Sequence, residues 1–192
     1  MFKQGISLCM IANTPEVPHL DYRHGKGAGR VENPSLGFVL SGIEPNVDEM
    51  NLVDTTPENN LAERLGYRHE KLRIEKARDP LKPPNLSAYR NQSLEMATYN
   101  WIIVLDPDEE ILNWRAIHSI TNEDHDEAFR LSGKIIIYNP WIITSEGKTS
   151  SGRLFMNGKN HNFKRDWFEM LFKGEEYLKY LNVECDWLHK KL

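Results

Sequence analysis

Trp101–Ile111 reads WIIVLDPDEEI, an apolar run, Trp101 to Leu105, that empties into Asp106, Asp108 and Glu109. A parallel strand covered on both faces is a continuous apolar run, and ligands of open α/β sheets gather outside the carboxyl ends of such strands. Carboxylates crowded at that position repel one another unless a cation sits between them, and hard divalent cations take oxygen ligands. The stretch therefore predicts a buried parallel strand with a cation-dependent site at its end. Taken alone, the same three acids serve equally well to cap a following helix, whose N-terminus favours negative charge.

The flanking sequence predicts more strands aimed at the same edge. GISLCMIA (5–12) and VDEMNLV (47–53) read as short strands that finish at Asn13 and Asp54. Between them, Thr14 to Pro34 carries Pro15, Pro18, Gly25, Gly27, Gly29 and Pro34, the composition of a long irregular loop. A short helix over 35–41 follows, then a helix in PENNLAERLGYR ending at Gly66, and a short edge strand in KLRIEKA. DPLKPPN has too many prolines for regular structure and leads into a helix, LSAYRNQSLEMA, with Leu86, Tyr89, Leu94 and Ala97 near one face and Arg90 and Asn91 in its first half. Beyond Glu110 the reading is a helix over 111–121, a strand in FRLSGKIIIY, strands in GRLFM and HNFKRDWFEM, and a final stretch, GEEYLKYLNVECDWLHKKL, that starts helically. Strands alternate with helices through the first 110 residues, which predicts an α/β sheet of mixed direction.

Composition narrows the function classes. A chain of 192 residues is long enough for one domain with its own core, and two cysteines without a CxxC or Cys/His cluster exclude a disulfide framework and a zinc site. A net charge of −4 gives no electrostatic footprint for nucleic acid. The opening apolar run is too short for a signal peptide or membrane span, so the expectation is a soluble, cytoplasmic protein without a transmembrane segment.

AYRNQSLEMATYNWIIVLDPDEEI resembles the central segment of family 2 glycosyltransferases of GT-A fold: alanine, arginine and asparagine, a helix, then a strand ending in leucine and an Asp-x-Asp-Glu motif. ISLCMIAN resembles that family's first strand, VDEMNLVDT its second with a terminal aspartate, and RLFMNGKNHNFKRDWFE its acceptor-side segment, all in order. The resemblance implies a Rossmann-like mixed sheet flanked by helices in a single domain over 1–192, with a nucleotide-sugar half (1–110) and an acceptor half (111–192). It implies a metal-dependent, hexosyltransferase-like enzyme using Mn2+ or Mg2+, a UDP-sugar donor and a saccharide, lipid or protein acceptor.

By the same resemblance Asn13, Asp54, Arg90 and Asp106 contact the nucleotide, and Asp106, Asp108 and His189 hold the metal, with Glu109 supporting that shell. Glu169, with Asp166 second, is the base that deprotonates the acceptor. Such residue types suit the chemistry, since a divalent ion neutralises a departing diphosphate and a carboxylate base assists attack. The chain departs from the family where Asn13 is followed by Thr14, Pro15 and Glu16 and where TTPENN follows Asp54. A non-catalytic nucleotide-sugar-binding member of the fold is the alternative. A nucleotidyltransferase ranks last, because ANTPEVPHL is not a basic, glycine-rich phosphate loop.

Each residue also has a plainer reading. Asp54 serves as a turn residue, Arg90 as a surface ion pair, Glu169 as an exposed strand position and His189 as a surface side chain. Trp167, Phe168, Phe172, Tyr177, Tyr180 and Trp187 read as core packing before a sugar platform.

Overall fold

The computed structural model describes residues 2–15, 21–23, 30–32, 35–58, 60–78, 85–111, 113–122, 137–144, 147–150, 154–157, 161–164, 170–173, 176–177 and 181–189. Among them the strands are β1 (Lys3–Ala12), β2 (Asp21–Arg23), β3 (Arg30–Glu32), β4 (Glu49–Asp54), β5 (Leu72–Lys76), β6 (Tyr99–Val104), β7 (Glu109–Ile111), β8 (Ile137–Thr144), β9 (Gly147–Ser150), β10 (Leu154–Met156), β11 (His161–Lys164), β12 (Met170–Lys173), β13 (Glu176–Tyr177) and β14 (Leu181–His189). The helices are α1 (Leu36–Ile43), α2 (Leu61–Arg64), α3 (Leu86–Met96) and α4 (Trp114–Asn122).

The main sheet runs β5-β4-β1-β6-β10-β8-β14-β7, with β9 on β8. β5, β4, β1 and β6 are mutually parallel, β10 is antiparallel to both β6 and β8, and β14 is parallel to β8. This is the expected mixed α/β, Rossmann-like sheet flanked by helices. Chain order moves outward from β1 to β4 and β5, then returns through α3 to β6 on the other side of β1. The strand order therefore reverses between β1 and β6, the place where open α/β sheets bind ligands.

Period-2 alternation sorts the parallel strands onto two buried faces. Ile6, Leu8 and Met10 of β1, Met50 and Leu52 of β4, and Trp101 and Ile103 of β6 join Leu36, Val39, Leu40 and Ile43 of α1 and Ile117 and Ile120 of α4 in one core. On the reverse face, Cys9, Ile102 and Val104 meet Leu94, Phe155 and Phe163, while Val53 packs with Ala77, Tyr89 and Met96. Each large apolar side chain buried this way contributes about 1.5–3 kcal/mol. Cys9 is fully buried, and its Sγ donates to the Ser93 carbonyl at 3.2 Å. Burial pushes its thiol up, so it stays protonated and inert.

Helix starts are set locally. Ser35 accepts from the Phe38 N–H at 3.2 Å to open α1, and Asn85 accepts from the Ala88 N–H at 2.9 Å to open α3. Gly5 sits at φ +141° where the β1–β6 register shifts, and a Cβ there would fall on the Asp48 carboxylate, so only glycine suits the position.

The structure departs from the sequence expectations in the second half and in two loops. β7 precedes α4 where one helix over 111–121 is expected, and the final stretch forms strands β13 and β14 instead of starting as a helix. The stretch 14–34 contains a hairpin, β2 with β3, and α2 is a single turn. In the last stretch, parallel pairing with β8 and antiparallel pairing with β7 override a helical pattern.

Candidate functional site

The parallel strands place four ends along one edge. The register aligns Ala12 of β1 with Asp54 of β4, and Asp54 with Lys76 of β5, while Val104 of β6 lies beside Cys9 so that Asp106 emerges just past the sheet. Asn13 follows β1 at this edge and is exposed. α3 crosses back over β1 and β4 against strand direction, so its first turns lie at the carboxyl edge.

Arg90, in those first turns, has a side chain 3% exposed and pairs through Nη2 with Oδ1 of Asp106, whose side chain is 25% exposed. A buried guanidinium and a half-open carboxylate thus meet at the reversal point of the sheet. An ion pair this deeply buried on one side is weak evidence for stability, because desolvation offsets the attraction, and it is stronger evidence of a site.

Asp106 also opens a tight turn. Its N–H donates to Glu109 Oε2 at 2.8 Å, and the Glu109 N–H donates to the Asp106 carbonyl at 3.0 Å. Glu109 is fully buried, so its carboxylate fastens the Asp-Pro-Asp-Glu turn from inside. Asp108 sits at the turn's tip, partly exposed. β14 runs antiparallel to β7 and sets His189 opposite Glu109 in the register, which brings the backbone of that histidine to the same turn.

Asp54 has a different occupation. Its Oδ1 accepts from the Thr56 N–H at 2.8 Å and the Thr56 hydroxyl at 2.7 Å, and its Oδ2 accepts from the Leu61 N–H at 2.9 Å. The buried carboxylate closes the turn after β4 and satisfies the first N–H of α2, as the plainer turn reading anticipates.

Arg90, Asn91 and Gln92 tie α3 to three separate segments. Asn91 donates through Nδ2 to the Phe163 carbonyl at 3.0 Å and accepts the Phe163 N–H on Oδ1 at 2.6 Å. Gln92 donates through Nε2 to the Lys76 carbonyl at 2.8 Å and accepts the Arg78 N–H on Oε1 at 3.0 Å. Sequence reasoning missed Gln92. The available signal was three successive long polar residues in a helix that has sheet on one side and a further strand on the other.

Asp106 and Asp108 are the two aspartates of this turn, and among the described residues no group of three His, Cys, Asp or Glu is arranged to hold a metal. Mg2+ is commonly held by one or two carboxylates plus substrate phosphates, and any such site here would need a nucleotide to complete it. Glu169 and Asp166 lie outside the described residues. Among the described residues, no helix is long and apolar enough to cross a membrane.

No protein-family model matches the chain, and no curated protein matches it. Solved structures do. HddC from Yersinia pseudotuberculosis, complexed with GMP-PN, matches at a TM-score of 0.52 and 10% identity over 98% of this chain and 93% of its own. HddC in a second crystal structure matches at 0.52 and 11% identity over the same shares. Rv0371c from Mycobacterium tuberculosis H37Rv has a TM-score of 0.44 at 10% identity over 96% of this chain and 90% of its own, too distant to carry an argument.

At these identities the likeness shows the fold alone. The function expected from the family 2 resemblance is corrected all the same. The two structures above at a TM-score of 0.52 are of HddC and not of a family 2 glycosyltransferase, and the reading as a metal-dependent glycosyltransferase acting on a saccharide, lipid or protein acceptor is overturned. The physical reason is that a strand ending in acidic residues belongs to the sheet edge and does not by itself fix the chemistry done there.

Proposed function

We propose that the chain binds a nucleotide across the carboxyl ends of β1, β4 and β6 and acts as a nucleotidyltransferase-like enzyme with a nucleotide sugar among its ligands. The observation that carries this reading is the Arg90–Asp106 pair at the reversal of strand order. It is supported by a fold like that of HddC, which was crystallised with GMP-PN.

In nucleotidyl transfer a phosphate oxygen attacks the α-phosphorus of a nucleoside triphosphate, a new P–O bond forms, and pyrophosphate leaves with its bonding electrons. Charge on the phosphates has to be balanced by fixed positive groups in a water-poor setting. Arg90 supplies such a charge, and Asp106 fixes its direction. A Mg2+ ion on Asp106 and Asp108 would add further neutralisation when bound. The turn fastened by Glu109 holds both aspartates, so this chain orients the ligands before any substrate arrives.

Calorimetric titration with GTP, ATP, UTP and CTP in the presence of Mg2+ tests the reading, followed by pyrophosphate release with a panel of sugar 1-phosphates. The expected result is micromolar binding of at least one triphosphate, the range of about −8 kcal/mol. No binding of any triphosphate at millimolar concentration overturns it.

A further inference from the structure

β5 ends at Lys76, level with Asp54, and the chain continues along the same edge through Ala77 and Arg78. Three hydrogen bonds meet the main chain of that short segment, beside the pairs of the Arg78 guanidinium with Glu75 and with Glu95 of α3. The Ala77 N–H donates to the Asp54 carbonyl at 2.9 Å, and the two Gln92 bonds hold the residues on either side of it, at the Lys76 carbonyl and the Arg78 N–H. Gln92 is 4% exposed and satisfies the carbonyl of Lys76, in the last ladder pair of β5, and the N–H of Arg78, two residues past it. A neighbouring strand would ordinarily do this. Here one helical side chain does it.

Location gives the clamp its meaning. Neighbouring strands lie about 4.8 Å apart, so the end of β5 stands roughly 10 Å from the end of β1, across β4. A nucleotide whose phosphates lie near Arg90 and whose nucleoside extends over β4 reaches the main chain of 76–78. We propose that Gln92 is a positioning residue for nucleoside recognition, fixing the backbone of Lys76–Arg78 as the wall against which the base is selected. This assignment rests on the nucleotide reading above.

Asn91 supplies the internal control. It too makes two bonds to main chain, but on β11, away from the β5 end. A variant at either position removes an amide with two main-chain partners, the Gln92 amide buried and the Asn91 amide partly so. Only the Gln92 variant loosens the 76–78 segment.

The test is calorimetry with GTP and UTP on the full chain, comparing the unaltered protein with Gln92→Met and Asn91→Leu. Gln92→Met is expected to weaken the tighter nucleotide about tenfold and to shift the GTP-to-UTP affinity ratio at least about fivefold, while Asn91→Leu moves that ratio less than about twofold. A ratio unchanged in Gln92→Met, or shifted equally in both variants, overturns the assignment. If Gln92→Met does not fold, Gln92→Glu, which keeps an acceptor for the Arg78 N–H, is read by the same ratio. Failure of the unaltered protein to bind either nucleotide overturns the nucleotide reading and this assignment with it, whereas binding with an unshifted ratio overturns this assignment alone.

Discussion

Glu49, at the amino end of the parallel strands, and Asp106, at their carboxyl end, use their carboxylates in opposite ways. At the amino end, Glu49 at the start of β4 accepts from the Ser7 hydroxyl at 2.6 Å, Asn51 Nδ2 at 3.2 Å, the Thr98 N–H at 2.5 Å and the Thr98 hydroxyl at 2.8 Å. The donors belong to β1, to β4 itself and to the turn before β6, and the carboxylate is consumed in joining them. At the carboxyl end, Asp106 meets a cation, Arg90, that is more deeply buried than itself. One end spends its charge on holding strands together. The other keeps a charged pair at the rim, where the proposed nucleotide would lie. Stability and binding are thus separable by position along the same strands.

Glu49→Ala is the largest test of that separation. It strips a carboxylate from four donors and is expected to lower unfolding free energy by about 3 kcal/mol in a urea titration, with nucleotide affinity changed less than about twofold. A large loss of affinity would erase the contrast between the ends. Asp106→Asn is next, with a loss of about 2 kcal/mol in stability, since it removes the charge facing buried Arg90, and at least about a tenfold loss in nucleotide affinity by calorimetry. Affinity that survives would move the site away from the rim. Asp54→Asn tests the turn after β4, at the carboxyl end. It exchanges one acceptor oxygen for a donor against main-chain N–H groups and is expected to cost about 1–2 kcal/mol by thermal melting.

The smallest effect is one of pH, on the amino-end side. A hydrogen bond from Lys71 Nζ at 2.9 Å holds the Glu44 carboxyl below its usual value of 4.5, with the charges of Lys71 and His69 adding to this. The stabilisation is present above the ordinary glutamate value and is lost as pH falls through the lowered one. A slight drop in melting temperature over that acid window, absent in Lys71→Met, is the expected result.

Much of this was legible in the sequence because it depends on short-range pattern. The apolar run from Trp101 gives β6, the alternation around Cys9 and Leu52 gives β1 and β4, and the acids past Leu105 mark the edge. Two further points needed three dimensions. Asp54 reads identically whether it faces a ligand or its own turn, and only the position of Leu61, seven residues on, decides that its carboxylate is taken. GEEYLKYL carries helical spacing, yet Glu176 and Tyr177 pair with β12 and Leu181 pairs with Tyr138 of β8, more than forty residues away. The partner of Gln92 was hidden for the same reason, since it is main chain and carries no residue type.

The Asn91 pair with Phe163 has a mechanical consequence. A side chain bonded to both the N–H and the carbonyl of one residue grips β11 as a ladder rung would, and the next residue back along the helix is Arg90. β11 belongs to a second sheet with β12 and β13, outside the sheet that carries the rim. Neighbouring residues of α3 thus face different partners, Arg90 the charge at the rim and Asn91 the smaller sheet, so this one helix fastens the two sheets to each other.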